Sequence, residues 1–103
     1  MKVVALVDDL MDRSKLTAAI PDVTFTRTVD GCVDANVVIV DLARHGDDIA
    51  SVRALAPTAR IVGFGPHVDG DGADRARTAG ADIVLARSRF FRDPAAPLAP
   101  PVH

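Results

Sequence analysis

Asp8 and Asp9 close the apolar run Met1–Val7, and Asp41 closes a second run, Val37–Val40. In an open α/β sheet, ligands bind at the carboxyl ends of the strands, so residues just after such runs are placed to do chemistry. If the two strands are neighbours, three carboxylates meet in one crevice. Unit charges about 5 Å apart repel by roughly 3 kcal/mol at an effective dielectric near 20. Such a crevice needs a cation, a raised pKa or a nearby guanidinium. Mg²⁺, a hard oxygen-binding ion, is the external candidate for Asp8, Asp9 and Asp41. Arg87, just after the last apolar run, is the internal one. All 14 acidic residues are Asp, so any carboxylate chemistry sits on a short side chain close to its own backbone.

Each of these residues also has a plainer use. Asp8 and Asp9 suit the N-cap of a following helix, and Asp41 can pair with Arg44 or Arg87. Asp69-Gly-Asp71-Gly-Ala-Asp74 looks like a calcium loop but lacks the terminal bidentate acid, and helix capping explains it better. His45 and His67 have no ligand-like spacing and read as solvated loop residues, while His103 is terminal. Cys32 has no neighbouring base and reads as an inert small residue. Gly63-Phe64-Gly65 lacks the third glycine of a dinucleotide fingerprint. Arg87 to Arg92 mixes cations with Phe90 and Phe91, as surfaces for single-stranded nucleic acid do. In an acidic chain, apolar packing explains these two phenylalanines better.

The elements that must hold these residues follow from the hydrophobic pattern. Met1–Val7, Val37–Val40 and Arg60–Phe64 are short apolar runs with β-branched residues, typical of strands buried on both faces of a parallel sheet. Ile83–Leu85 is a fourth. Val23–Val29 alternates apolar residues with threonines, so it predicts a half-buried strand at a sheet edge. Leu10 to Ile20 has helical spacing and stops at Pro21. Asp47–Asp48 suit the first turn of a helix that runs to Pro57. Asp71 can cap a helix to about Ala79, with Gly80 at the left-handed C-terminal position. Between the second and third strands there is room only for a short turn. Four prolines between Asp93 and His103 exclude an ordinary helix there.

Length and composition bound the rest. The chain has 103 residues, 49% hydrophobic and 25% charged, which is one ordinary globular domain. A net charge of −2 gives no bulk positive field for nucleic acid or an anionic membrane. The single cysteine excludes an intrachain disulfide. The N-terminal apolar run is too short for a signal-peptide core or a membrane span. The expected setting is cytoplasmic.

Three segments in register resemble the receiver domain of two-component response regulators: Val7–Leu16 (VDDLMDRSKL), Val37–Arg44 (VVIVDLAR) and Arg77–Ser88 (RTAGADIVLARS). The resemblance covers residues 1 to about 91. It implies a flavodoxin-like three-layer fold with a five-stranded parallel sheet of order 2-1-3-4-5. It also implies Mg²⁺ binding at Asp8 and Asp9 and phosphoryl acceptance at Asp41. Two positions depart from it. Gly65 stands where receivers have a Thr or Ser hydroxyl, and Arg87 stands where they have Lys. An arginine fork is no conservative replacement for a compact ammonium. The helix after the second strand is short or absent, and the C-terminal helix is missing.

The expected protein is therefore a receiver-like domain over residues 1–92 with a Pro-rich tail over 93–103. It is expected to be a signalling or regulatory module, not an enzyme and without a required cofactor, that acts through protein contacts. Its partners would be a sensor kinase, a regulator, or a second copy packed on the flank left bare by the missing helix. Phe90 and Phe91 are the candidate anchors of that homodimer. The alternatives are a working phospho-acceptor using Asp41 and Mg²⁺, and a small-ligand-binding or enzymatic flavodoxin-like domain.

Overall fold

The computed structural model describes residues 1–66 and 71–100. His67, Asp69 and His103 lie outside them. Five strands form one parallel sheet: β1 (Val3–Leu6), β2 (Thr24–Thr26), β3 (Val37–Asp41), β4 (Arg60–Gly65) and β5 (Ile83–Ala86). Their order is β2-β1-β3-β4-β5, as expected, with β2 and β5 at the edges. The central ladder pairs Ala5 with Ile39 and Leu6 with Val40. That register sets the residues following β1 beside Asp41 at the carboxyl edge.

The helices are α1 (Leu10–Ala19), α2 (Leu42–His45), α3 (Ile49–Leu55), α4 (Asp71–Ala79) and α5 (Arg87–Arg92). Alternate side chains of each buried strand face opposite layers. Val4, Leu6, Val38, Val40 and Ile61 pack with Ile49 and Val52 of α3 and Ala73 and Ala76 of α4. Val3, Ala5, Val7, Ile39, Val62 and Phe64 pack with Leu16 of α1 and Phe90 of α5. A 3₁₀ turn at Val29–Cys32 takes the place of a helix between β2 and β3, and buries Cys32 against the first of these layers. Burial pushes the Cys32 thiol pKa up, which suits the inert role expected of it.

Gly80 takes φ +130, the positive-φ conformation anticipated for it. Its carbonyl accepts from Nε and Nη2 of Arg53 at 3.2 and 2.7 Å, and Arg53 also pairs with Asp82 at 2.8 Å. One guanidinium thus ties the end of α3 to the entry of β5.

Three expectations need correction. The segment after Asp41 was expected to be a loop, but it forms α2 and a 3₁₀ turn before α3 begins. The C-terminal helix is not missing: it is cut to six residues, Arg87–Arg92. Phe90 is not an exposed interface anchor, because it is fully buried within the chain. Its ring stacks on Phe64 at 4.8 Å with an interplanar angle of 2°, and Phe91 meets both rings edge-on. The tail then turns back, burying Pro94, Pro97 and Leu98, and Arg60 Nε donates to the Pro97 carbonyl at 2.7 Å. The chain's own end thus lies along part of the flank beside α5.

Candidate functional site

The carboxyl edge of β1 and β3 gathers Asp8, Asp9, Asp12, Asp41, His45 and Arg87. Asp9 is the N-cap of α1, and its Oδ1 accepts from the Asp12 backbone N–H at 3.0 Å. That hydrogen bond holds the Asp9 carboxyl below the usual carboxylate range, against an opposing effect of burial. The Met11 N–H, Arg87 and Arg44 add to the lowering. Asp41, 5% exposed, caps α2 through a 3.1 Å hydrogen bond from the Ala43 N–H. Asp8 turns to His45, whose Nε2 lies 3.2 Å from Asp8 Oδ1 and whose Nδ1 lies 3.0 Å from Asp48 Oδ2.

Arg87, the internal cation expected at this edge, is present with a different partner. Arg87 pairs through Nη2 with Oδ1 of Asp12, a carboxylate whose side chain is 2% exposed. That bond raises the Arg87 pKa, and the nearby charges of Asp41 and Asp9 contribute less. The guanidinium also lies over Phe64 and Phe91, 5.7 and 5.0 Å from their centroids. Gly65 ends β4 beside Ala86 and lines a cavity of about 470 Å³ with Leu42, Pro66 and Arg75. Among the described residues, no three His, Cys or Asp side chains come together to hold a metal ion. Asp8 faces His45, while Asp9 and Asp41 each accept a backbone N–H through one carboxylate oxygen.

Nothing local in the sequence marks Asp12 and His45 as members of this cluster. Asp12 looks like one more polar residue on an amphipathic helix, and its partner is remote in sequence. His45 is not the solvated loop residue its spacing suggests but is buried between two carboxylates. With both ring nitrogens facing carboxylate oxygens, both must donate, and only the imidazolium does so. Burial alone lowers the His45 pKa, but the hydrogen bonds to Asp48 and Asp8 outweigh it and the net change is upward.

A His pKa raised on folding contributes stability that is fully present below the unfolded value. That stability is lost as the pH rises through the folded value. The protein is therefore expected to lose stability above about pH 6.5, the ordinary range for histidine. His45→Gln should flatten that part of the profile. Urea denaturation of both proteins at several pH values checks this, and parallel profiles would contradict it.

No protein-family model matches the sequence, and neither does any curated protein. Solved structures do match in three dimensions. A response regulator protein from Burkholderia pseudomallei, with a phosphorylated aspartic acid, calcium ion and citrate, superposes with a TM-score of 0.81 at 21% identity. The match covers 96% of this chain and 67% of that one. The fold is that of a response-regulator receiver. A CheY-like protein (tadZ) from Pseudomonas aeruginosa PAO1 gives a TM-score of 0.72 at 15% identity, covering 92% and 93% of the two chains. A putative pilus assembly-related protein from Burkholderia pseudomallei K96243 gives 0.70 at 18%, covering 97% and 92%. In this receiver fold, Asp41 ends the third strand, and Arg87 follows the fifth. Among the described residues, no helix is long and apolar enough to cross a membrane.

Proposed function

We propose that the chain is a receiver-fold module that works through protein contacts in one fixed conformation, with neither a phosphorylation switch nor catalysis of its own. The Arg87–Asp12 pair carries this reading. In receivers, as the resemblance implies, a Lys and a hydroxyl answer a phosphoryl group on the acceptor aspartate. Here the residue at the Lys position is held by a buried carboxylate and covers two aromatic rings. The hydroxyl position is Gly65, which has no side-chain donor. Swinging Arg87 toward Asp41 would leave the Asp12 charge buried and unpaired, which is strongly unfavourable. The occurrence of this fold in a pilus assembly-related protein supports a contact role as well.

The second reading is a working phospho-acceptor served by a histidine kinase. It is favoured by the position of Asp41 and by the phosphorylated aspartic acid in the similar Burkholderia structure. Acetyl phosphate or beryllofluoride with Mg²⁺ separates the two. The fixed module is expected to show no stoichiometric acyl phosphate by mass spectrometry. It should also show no amide shifts spreading from Asp41 to β5. A stable, stoichiometric adduct at Asp41 overturns it in favour of the acceptor.

A further inference from the structure

The short α5 leaves a groove of about 630 Å³ between β5, α5 and the returning tail. We propose that this groove docks an extended segment of a partner protein in which acidic and apolar residues alternate. The proposal rests on the contact role argued above and gives that role a surface and a partner chemistry.

Three features of the groove select such a segment. First, β5 is an edge strand paired only with β4, so its outer backbone groups can accept another strand. Secondly, Ile83 and Leu85, two apart and hence on one face of β5, form a half-buried apolar floor. A strand added at this edge would set every second side chain beside that floor, on the same face of the sheet. Thirdly, Arg60, Arg89 and Arg92 line the groove against a single acid, Asp93. Arg89 and Arg92 are exposed, and among the described residues neither has a carboxylate within ion-pair distance. In a chain of net charge −2 this is a local reversal of sign, and its complement is acidic.

The opposite wall carries Pro97 and Pro100, which have no backbone N–H to offer the strand. A second copy is a poorer occupant. Two-fold pairing across β5 would bring the arginines of both copies together, and like charges across an interface are penalised. Single-stranded nucleic acid is poorer too, because Phe90 is buried and Phe91 lies beneath Lys15 and Arg87, leaving no open ring on which a base can stack.

The test uses the full chain labelled for amide NMR and a short capped peptide alternating valine and glutamate. A valine–lysine peptide is the control. The acidic peptide is expected to shift the amides of Ile83 to Ala86, with affinity falling as salt is raised. Arg89→Ser with Arg92→Ser, both on the exposed face of α5, should weaken binding about tenfold while leaving the spectrum of the free protein folded. Equal binding of the lysine peptide overturns the proposal. So does an acidic-peptide footprint at Asp8 and Asp41 instead of β5, or β5 shifts that depend on protein concentration without peptide. Adding beryllofluoride to the same sample keeps the two readings apart. No peptide binding in a protein silent to beryllofluoride overturns the groove alone. Peptide binding at β5 in a protein that responds supports the groove and overturns the fixed module.

Discussion

Phe90→Ala is expected to cost about 3–5 kcal/mol, the usual range for removing a fully buried phenylalanine. The ring has no exposed area, stacks on Phe64 and meets Phe91 edge-on. Truncation removes the ring contacts and leaves a void that the sheet cannot close, since Phe64 is fixed in β4. The helix that carries Phe90 has six residues, too few to persist on propensity alone. Losing the ring therefore releases α5 and, with it, the support under the tail. Against a total stability on the order of 5–15 kcal/mol, this is a large fraction. Each kcal/mol lowers the melting temperature of a domain near this size by about 4–8 °C. Phe91→Ala, at a half-buried position, should cost less than half as much. Urea and thermal denaturation followed by circular dichroism measure both. A loss under about 1 kcal/mol for Phe90→Ala would mean that the stack does not hold the helix.

Arg87→Ala should be the second large effect, at about 2–3 kcal/mol. Breaking a buried ion pair by removing one partner costs about 3–5 kcal/mol, because the other charge is stranded. The estimate is lower here because the Arg87 side chain is 41% exposed while that of Asp12 is 2% exposed. The asymmetry makes a prediction of its own. Adding Asp12→Ala to Arg87→Ala should recover part of the loss, since the stranded charge is then gone. Arg87→Lys should not restore the wild type, because an ammonium cannot lie flat over Phe64 and Phe91 while reaching Asp12. A double-mutant cycle on urea midpoints gives the coupling directly. Strictly additive losses would show that the two residues do not act as a pair.

The contrast between these residues marks what the sequence made legible. Strand order and the acidic carboxyl edge could be read because β1, β3 and β4 are unbroken apolar runs, and two of them meet Asp at their ends. Such runs are hard to place anywhere but inside a parallel sheet. Both short helices were missed for a shared reason. α2 and α5 have four and six residues, too short for a periodic pattern to emerge. α2 exists because Asp41 caps it, and α5 because Phe90 docks it. The site partners were hidden differently. Arg87–Asp12 and His45–Asp8 join residues far apart in sequence, and nothing local distinguishes Asp12 from a solvated helix residue. Only the folded sheet brings α1, α2 and the end of β5 to the same edge.

The 3₁₀ turn between β2 and β3 has a consequence for how fast the sheet assembles. Every ladder here is parallel, so no strand can pair with its neighbour through a tight hairpin, and each pairing must first close a long loop. The longest of these closures joins Ala5 to Ile39 at the centre of the sheet, across α1, β2 and the turn. Replacing a full helix with four residues at Val29–Cys32 shortens that loop. The equilibrium gain is small, about a few tenths of a kcal/mol, because closure entropy grows only with the logarithm of loop length. The kinetic gain falls on one of the two ladders of the central strand β3, so the chain reaches that pairing with fewer residues left to order.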